Sequence, residues 1–167
     1  MSESVLIIIK PDGMVKSLPG YLLTRLSETG LQLVGTRLVA VTRELAEEHY
    51  KIHRKRFFFE EIVRYLSGRI HGDNKVLVLV YYGRNAIKRA RDLAGATNPE
   101  VADPKSIRGS CGRIMTKGLY ENVLHVSSTR KESEDEIKLW FSPEDIHVKL
   151  FKTKIVKSKN EARRVWA

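Results

Sequence analysis

Cysteine is nearly absent: Cys111 stands alone among 167 residues, so no disulfide can close within the chain, and a reducing cytoplasm suits it. Long apolar runs are missing too. The longest, residues 5–9 and 76–82, fall far short of the roughly 20 residues that a bilayer-spanning helix needs. No basic stretch leads into an apolar segment at the N-terminus, so neither a targeting peptide nor a membrane partner is expected. There is no internal repeat and no low-complexity segment. Gly-x-x-x-x-Gly-Lys-Ser/Thr and Gly-x-Gly-x-x-Gly are both lacking, which excludes nucleotide binding of the Walker or Rossmann kind. Acidic residues are in short supply, 20 against 30 Lys and Arg, leaving a net charge of +10. That imbalance points to anionic partners: nucleic acid, an anionic membrane surface or phosphate-bearing small molecules.

Apolar residues make up 42% of the chain and charged residues 30%, an ordinary globular composition, and the length fits one domain with a proper core. The charge is uneven. Residues 147–167 hold seven basic side chains against one acid, supplying +6 of the +10, so we read a domain over 1–146 and a basic C-terminal extension over 147–167. The extension reads either as a solvated tail or as a weaker attachment for nucleic-acid backbone.

Residues 5–9, Val-Leu-Ile-Ile-Ile, form a continuous apolar, β-branched run, the pattern of a central strand buried on both faces. Lys10-Pro11-Asp12-Gly13 then turns the chain and leaves Lys10 at the strand mouth. Pro19 opens a helix with Leu22, Leu23 and Leu26 on one face and Gly30 as its stop. Residues 31–41 read as a strand broken by Gly35, where a bulge fits. Thr42 caps a helix on which His49 and His53 share a face, as do Tyr50 and His53. Two histidines at that spacing raise the question of zinc, but Tyr50 stands where a zincin carries Glu, and no third ligand is near.

Arg54-Lys55-Arg56-Phe57-Phe58-Phe59 runs a basic stretch into three aromatics, which cannot all face inward, so at least one is exposed or lines a cleft. A short helix follows over 60–67, then a turn-rich loop over 69–75 with His71 expected in solvent, a strand over 76–82 and a helix over 85–93. Residues 96–120 are long and irregular, punctuated by Pro99, Pro104, Gly109, Gly112 and Gly118. Loops of that length are functional or disordered, and this one carries Thr97, Arg108 and Arg113, the equipment of a phosphate clamp.

The stretch from Asn122 to Glu136 organises the rest. An apolar pair runs into His125, small hydroxyl residues follow, and Thr129-x-x-Glu132 opens a helix with a capping-box signature. A strand, a tight turn and a helix in succession lift a side chain into a cleft. Neutral imidazole is a nucleophile, so a histidine here invites a chemical reading. The bland alternative is a packed or solvated strand-end residue.

Ile9-Lys10-Pro11-Asp12-Gly13, Glu48-His49-Tyr50-x-x-His53, Gly95-Ala96-Thr97-Asn98-Pro99, Ile107-Arg108-Gly109, Asn122-x-x-His125-x-Ser127 and Glu136-Ile137-x-Leu139-Trp140-Phe141 occur in that order. Together they resemble nucleoside diphosphate kinases over residues 5 to about 146. The resemblance implies an α/β fold, a ferredoxin-like α/β sandwich with a four-stranded antiparallel sheet and flanking helices. It implies a ping-pong phosphotransferase that passes the γ-phosphate of a nucleoside triphosphate to a nucleoside diphosphate through a phosphohistidine. By position His125 is the nucleophile, and Glu136 with Ser127 orients its ring. Lys10 and Asn122 match contacts to the sugar hydroxyls, Lys10 also lying near the transferred group. Arg91, Thr97 and Arg108 match phosphate binders, joined by His53; Tyr50 matches a tyrosine beside the γ-phosphate, and Phe58 the ring stacked on the base. Mg²⁺ is implied, held by phosphates and water rather than by protein ligands. So is a homo-oligomer, with a hexamer ahead of a tetramer.

The chain departs from the family pattern in places. Val126 replaces Gly after the histidine, where its β-branch is expected to crowd the site. Ser128 replaces Asp, Glu121 replaces Arg, and Phe57 stands where Pro is usual. Ser110-Cys111 replace an Asp-aromatic pair, and extra residues sit around 69–75 and 112–121, which leaves the second base contact unplaced. An active enzyme is the first reading. The second is a fold relative turned basic nucleic-acid-binding or regulatory module, its catalysis blunted by Val126 and its tail on phosphate backbones.

Overall fold

The computed structural model describes residues 2–116, 118–157 and 162–167, the side chains of Lys157 and Ala162 apart. In chain order its elements are β1 (Ser2–Ile9), α1 (Pro11–Val15), α2 (Pro19–Ser27), β2 (Gln32–Ala40), α3 (Arg43–His49), α4 (Phe59–Leu66), β3 (Lys75–Arg84), α5 (Ala86–Ala94), α6 (Ile107–Cys111), β4 (Arg113–Ile114), β5 (Tyr120–Glu121), β6 (Leu124–Val126), α7 (Arg130–Trp140), β7 (Thr153–Lys157) and β8 (Ala162–Trp166). Three 3₁₀ turns, Lys51–His53, Pro99–Val101 and Pro143–Asp145, link them.

Four strands make the main sheet in the order β2-β3-β1-β6, every neighbouring pair antiparallel. This is the split βαβ order of the ferredoxin-like fold. The α3–α4 pair is inserted between β2 and β3, where the simplest version of the fold makes a hairpin.

The apolar run of β1 is central and buried on both faces, as its sequence predicts. Val5, Ile7 and Ile9 point into a cluster with Leu22 and Leu26 of α2 and Ala86 and Ala90 of α5. Leu6 and Ile8 point the other way, against Ala46, Val63, Leu66, Ile137 and Trp140 from α3, α4 and α7. Alternate residues of one strand thus fasten helices to both sides of the sheet.

Several local signals behave as read. Thr42 caps α3 by accepting from Leu45 N, and a bulge interrupts the β2–β3 register between Leu33 and Gly35. A side chain at Gly35 would put its Cβ 2.6 Å from Ile146 Cδ1 and 3.2 Å from Asp145 O, so Ile146 would have to shift to admit one. Other details differ. Residues 11–15 form a helix rather than a turn, because Pro11 at the first helical position needs no donor there. Thr129 accepts from Glu132 N as a cap should, but the Glu132 carboxylate turns to the amide and hydroxyl of Ser128 instead of closing the box on Thr129. The bulge leaves Leu33 and Leu38 of the edge strand β2 facing outward, 45% and 63% exposed.

The basic C-terminal stretch is built rather than trailing. β7 and β8 pair as a hairpin, and Val148, Leu150, Phe151 and Trp166 pack on the α3–α4–α7 side of the core. Trp166 Nε1 donates to Phe141 O at 2.8 Å, and its ring meets Phe151 with centroids 5.7 Å apart. Lys149, Lys152, Lys154, Arg163 and Arg164 are exposed, while Lys159 and Glu161 lie outside the described residues. Removing the indole costs both packing and a hydrogen bond. Trp166→Ala is therefore expected to lose about 2 kcal/mol of stability, measured as a lower urea midpoint at unchanged slope.

Candidate active site

The register of the sheet places the histidine. His125 pairs with Ile8, so it shares the face of the α3–α4–α7 cluster, while its neighbours Leu124 and Val126 point into the α2–α5 cluster. On that face α7 buries Ser133, Glu136, Ile137 and Trp140, one stripe at helical spacing, and Glu136 comes to lie behind the imidazole. His125 Nε2 is 2.8 Å from Glu136 Oε1, but the approach is out of line with the ring N–H, and that nitrogen is buried without an aligned hydrogen bond. The other carboxylate oxygen accepts from Ser127 Oγ at 2.6 Å. Ser127, fully buried, also exchanges bonds with the backbone of Leu6, so strand β1 fixes the hydroxyl that fixes the carboxylate. Burial pushes the Glu136 carboxyl upward, yet His125, His49 and Ser127 together outweigh it and hold it below its ordinary value.

The residue two before the histidine carries the strain. Val123, not Val126, has positive φ (+58°), rare for a β-branched side chain. Leu124 N bonds Asn122 O at 2.7 Å across it, a three-residue turn. Three contacts hold it: full burial of the side chain, Val123 N donating to Asp12 Oδ2 at 3.0 Å, and Val123 O accepting from Lys10 N at 2.9 Å. Val126 is extended and packed in the core while also lining the cleft, and the strained backbone lies three residues earlier.

A cleft of about 660 Å³, ample for a nucleotide, opens over this turn. Lys10, 6% exposed, stands at its base with Nζ 2.5 Å from Asn122 Oδ1 and 4.2 Å from the centroid of the Tyr65 ring. Asn122 Nδ2 donates to Thr97 O at 2.8 Å, joining the β6 turn to the loop after α5. Arg91 and Thr97 line the wall, with Arg108 beneath them. Arg108 donates to Gly95 O and Leu124 O at 2.8 and 3.0 Å, and its Nε is buried without a partner. Tyr50, His53 and Phe58 line the cleft too, their rings in succession at centroid distances of 6.4 and 5.6 Å. Of the three consecutive aromatics, Phe57 is 99% exposed, Phe58 lines the cleft and Phe59 packs on the core. Leu119 and Tyr120, from the 112–121 segment, also line the cleft.

Charge is held here under protest. Burial lowers the Lys10 ammonium from 10.5 to about 7, against the pull of Asp12. Burial, then the neighbouring Arg91, bring Arg108 down to about 10, and burial raises the Tyr50 phenol.

Sequence reasoning missed His49 as a neighbour of the central histidine. Their rings meet edge-on with centroids 4.6 Å apart. The expected His49–His53 face does not form because α3 stops at His49 and a 3₁₀ turn swings His53 into the cleft. Trp140 Nε1 donates to His49 Nδ1 at 3.2 Å. Indole only donates, so the proton of His49 sits on Nε2, and burial followed by His125 depresses the ring to about 3. His49, His125 and Glu136 bring ligating atoms within 4.8 Å of one another. A metal-bound imidazole turns its second nitrogen toward an acceptor, however, and His49 faces a donor, so this trio is not built as a metal centre. Two other expectations fail. Arg113 lies outside the cleft, bonded to Glu121, and His71 is mostly buried against that same carboxylate instead of standing in solvent. Only folding brings those partners together, 8 and 50 residues apart in sequence.

A family model described as nucleoside diphosphate kinase matches residues 3–146. The chain belongs to the nucleoside diphosphate kinase family. Over 145 residues it is 40% identical to the nucleoside diphosphate kinase of Pyrococcus furiosus, covering 87% of this chain and 86% of that one. Among solved structures it is similar to the Borrelia burgdorferi enzyme with bound vanadate and ADP, described as a transition-state mimic (TM-score 0.78, 28% identity, 87% and 90% covered). It is equally similar in fold to the Halobacterium salinarum enzyme in complex with CDP (TM-score 0.78, 33% identity, 87% and 91% covered). The protein is thus a phosphotransferase, moving phosphate from nucleoside triphosphates to nucleoside diphosphates.

The Lys10 environment gives a signed prediction. Above about pH 7 its amine is largely neutral, and a phosphate beside it favours the charged form. Binding of ADP at pH 8.5 should take up close to one proton, and at pH 6 none. Calorimetry in buffers of different ionisation heat reads this, and Lys10→Met should abolish the uptake.

Proposed function

We propose that His125 is the nucleophile of a ping-pong transfer. The observation that carries this reading is the placement of its ring: Nε2 is buried against Glu136, while the histidine lines the cleft shared by Lys10, Arg91 and Arg108 and, among the described residues, Nδ1 makes no hydrogen bond. The Nδ1 lone pair attacks the γ-phosphorus, the bond to the β-phosphate oxygen breaks, and the nucleoside diphosphate departs. A second nucleoside diphosphate then attacks the phosphohistidine through a terminal oxygen, and the N–P bond breaks. Glu136 stabilises the positive charge that grows on the ring, and its off-line contact with Nε2 tightens in the loaded complex. Ser127 holds Glu136 in place. Because phosphoryl transfer has a loose transition state, positioning and charge neutralisation supply most of the acceleration. Lys10 contacts the transferred group and, with Asn122, the sugar hydroxyls. Arg91, Thr97, Arg108 and His53 bind phosphate, Tyr50 lies beside the γ-phosphate, and Phe58 stacks on the base. Stacking is indifferent to base identity, so purine and pyrimidine nucleotides both serve.

Mg²⁺ fits this cleft as a passenger on the nucleotide. Of the carboxylates lining it, Glu136 is engaged by Ser127 and His125 and Glu132 by Ser128, which leaves Glu61 at the rim, so phosphate oxygens and water would hold the ion. When bound, Mg²⁺ neutralises charge building on the phosphates.

We further infer a homo-oligomer, a hexamer ahead of a tetramer. The outward Leu33 and Leu38 on the edge strand β2 support self-association. We take residues 147–167 as an appended basic element whose exposed cations offer nucleic acid a weaker foothold, and we place the reaction in the cytoplasm. Among the described residues no helix is long and apolar enough to cross a membrane.

Incubation with labelled ATP should leave an acid-labile, base-stable phosphate on the protein, at about one per chain. His125→Ala should carry none and lose at least about 10⁴-fold in kcat, since no other group supplies the covalent path. Label retained in that variant would remove the assignment.

A further inference from the structure

Glu121 is among the most buried carboxylates of the chain, 1% exposed, and it stands immediately before Asn122. Three cationic or imidazole groups converge on it. Lys16 Nζ, at the end of α1, is 2.7 Å away; Arg113 Nε, across the β4–β5 pair, is 2.5 Å; His71 Nε2, from the loop after α4, is 2.8 Å. Burial pushes the carboxyl up, but Arg113, Lys16 and His71 pull it down to about 2, so it stays ionised. The family pattern has Arg at this position, so the charge here is reversed. Two of the partners, His71 and Arg113, come from the segments around 69–75 and 112–121 in which this chain carries extra residues.

The cluster reaches the active site by two routes. Through the backbone, Glu121 anchors Asn122, whose Oδ1 is 2.5 Å from Lys10 Nζ. Through His71, it buttresses Tyr65: the imidazole meets that ring edge-on with centroids 5.0 Å apart, and Lys10 Nζ lies 4.2 Å from the centroid of the same ring. The loop holding His71 is itself closed tightly at Gly68, where φ is +75° and an added Cβ would lie 2.3 Å from Asp73 O. Its His71 Nδ1 is buried without a partner, which leaves the contact with Glu121 as the polar tie of that ring.

We propose that Glu121 is a positioning residue for phosphoryl transfer: with His71, Lys16 and Arg113 it holds Asn122 and Tyr65 so that together they present Lys10 to the transferred phosphate. The proposal rests on the role given above to Lys10. The inserted segments thereby become part of the catalytic framework, each delivering a counter-group to one carboxylate.

The test reads Lys10 through pH. Asp12 and Glu121 favour its charged form, while burial and Arg108 oppose it, with Tyr65 and the neutral His49 also facing the amine. Loss of the Glu121 charge must move the alkaline limb of the kcat/KM profile to lower pH, and kcat/KM at pH 7 should fall about tenfold through misplacement of the amine. Glu121→Asp should keep the limb where it is in the parent protein, and so should Lys16→Met and Arg113→Gln, which leave the carboxylate charged. Lys10→Met is the reference. If its profile still shows the limb, the reading of Lys10 is wrong and the proposal falls with it. If Lys10→Met removes the limb but Glu121→Gln leaves it unmoved, the proposal alone is overturned. Should Glu121→Gln not fold, His71→Ala leaves the carboxylate with its other partners, and it should lower kcat/KM at least about threefold, whereas a value equal to the parent rejects the proposal.

Discussion

A buried carboxylate, Asp12, accepting the backbone amide of Val123 is the contact on which the site depends. It ties the first turn of α1 to the segment that enters β6 and, with the Lys10 amide bonded to Val123 O, holds a valine in a backbone conformation it would otherwise leave. Everything reactive is within a few residues of that pair: Lys10 on one side, Asn122 and His125 on the other. A relaxed, extended approach to β6 would turn Asn122 away from Lys10. The strain is local, but its product is the convergence of an amine, an amide and an imidazole from opposite ends of the chain.

Around that junction the cleft keeps more positive charge than its burial favours. Lys10 and Arg108 are both depressed by desolvation, and Arg108 spends two of its donors on carbonyls while Nε finds none. The buried carboxylates nearest the reacting groups are engaged: Glu136 by the histidine and Ser127, and Glu121 behind Asn122 by its own counter-groups. The unpaid desolvation in the free protein is relieved when an anion enters, which is why cationic side chains here are worth more to a phosphate than the same residues on an open surface.

Much of this was legible from residue order. The β1 run, the break at Gly35, the Thr42 and Thr129 caps and the strand–turn–helix around His125 are written in contiguous signals of a few residues, and the six motifs name the polar heart of the cleft, Lys10, His53, Thr97, Arg108, Asn122 and His125 among it, but not Tyr65, Leu119 or Tyr120. What escaped is what depends on distant partners. His71 looks like a loop histidine until folding delivers Glu121, and His49 looks like half of an i,i+4 pair until α3 ends beneath it and Trp140 claims its Nδ1. Asp12, inside an apparent turn, gives no hint that it will hold an amide 111 residues away. The basic composition of the C-terminal stretch likewise hides two aromatics, Phe151 and Trp166, that anchor it.

Lys10 also has a chemistry outside phosphoryl transfer. An ammonium is inert toward electrophiles, whereas an amine poised near neutrality spends much of its time with a free electron pair. Its place at the base of the cleft, 6% exposed and bonded to Asn122, shields that pair from bulky electrophiles, and a resident nucleotide, by recharging and covering it, would act as its protecting group.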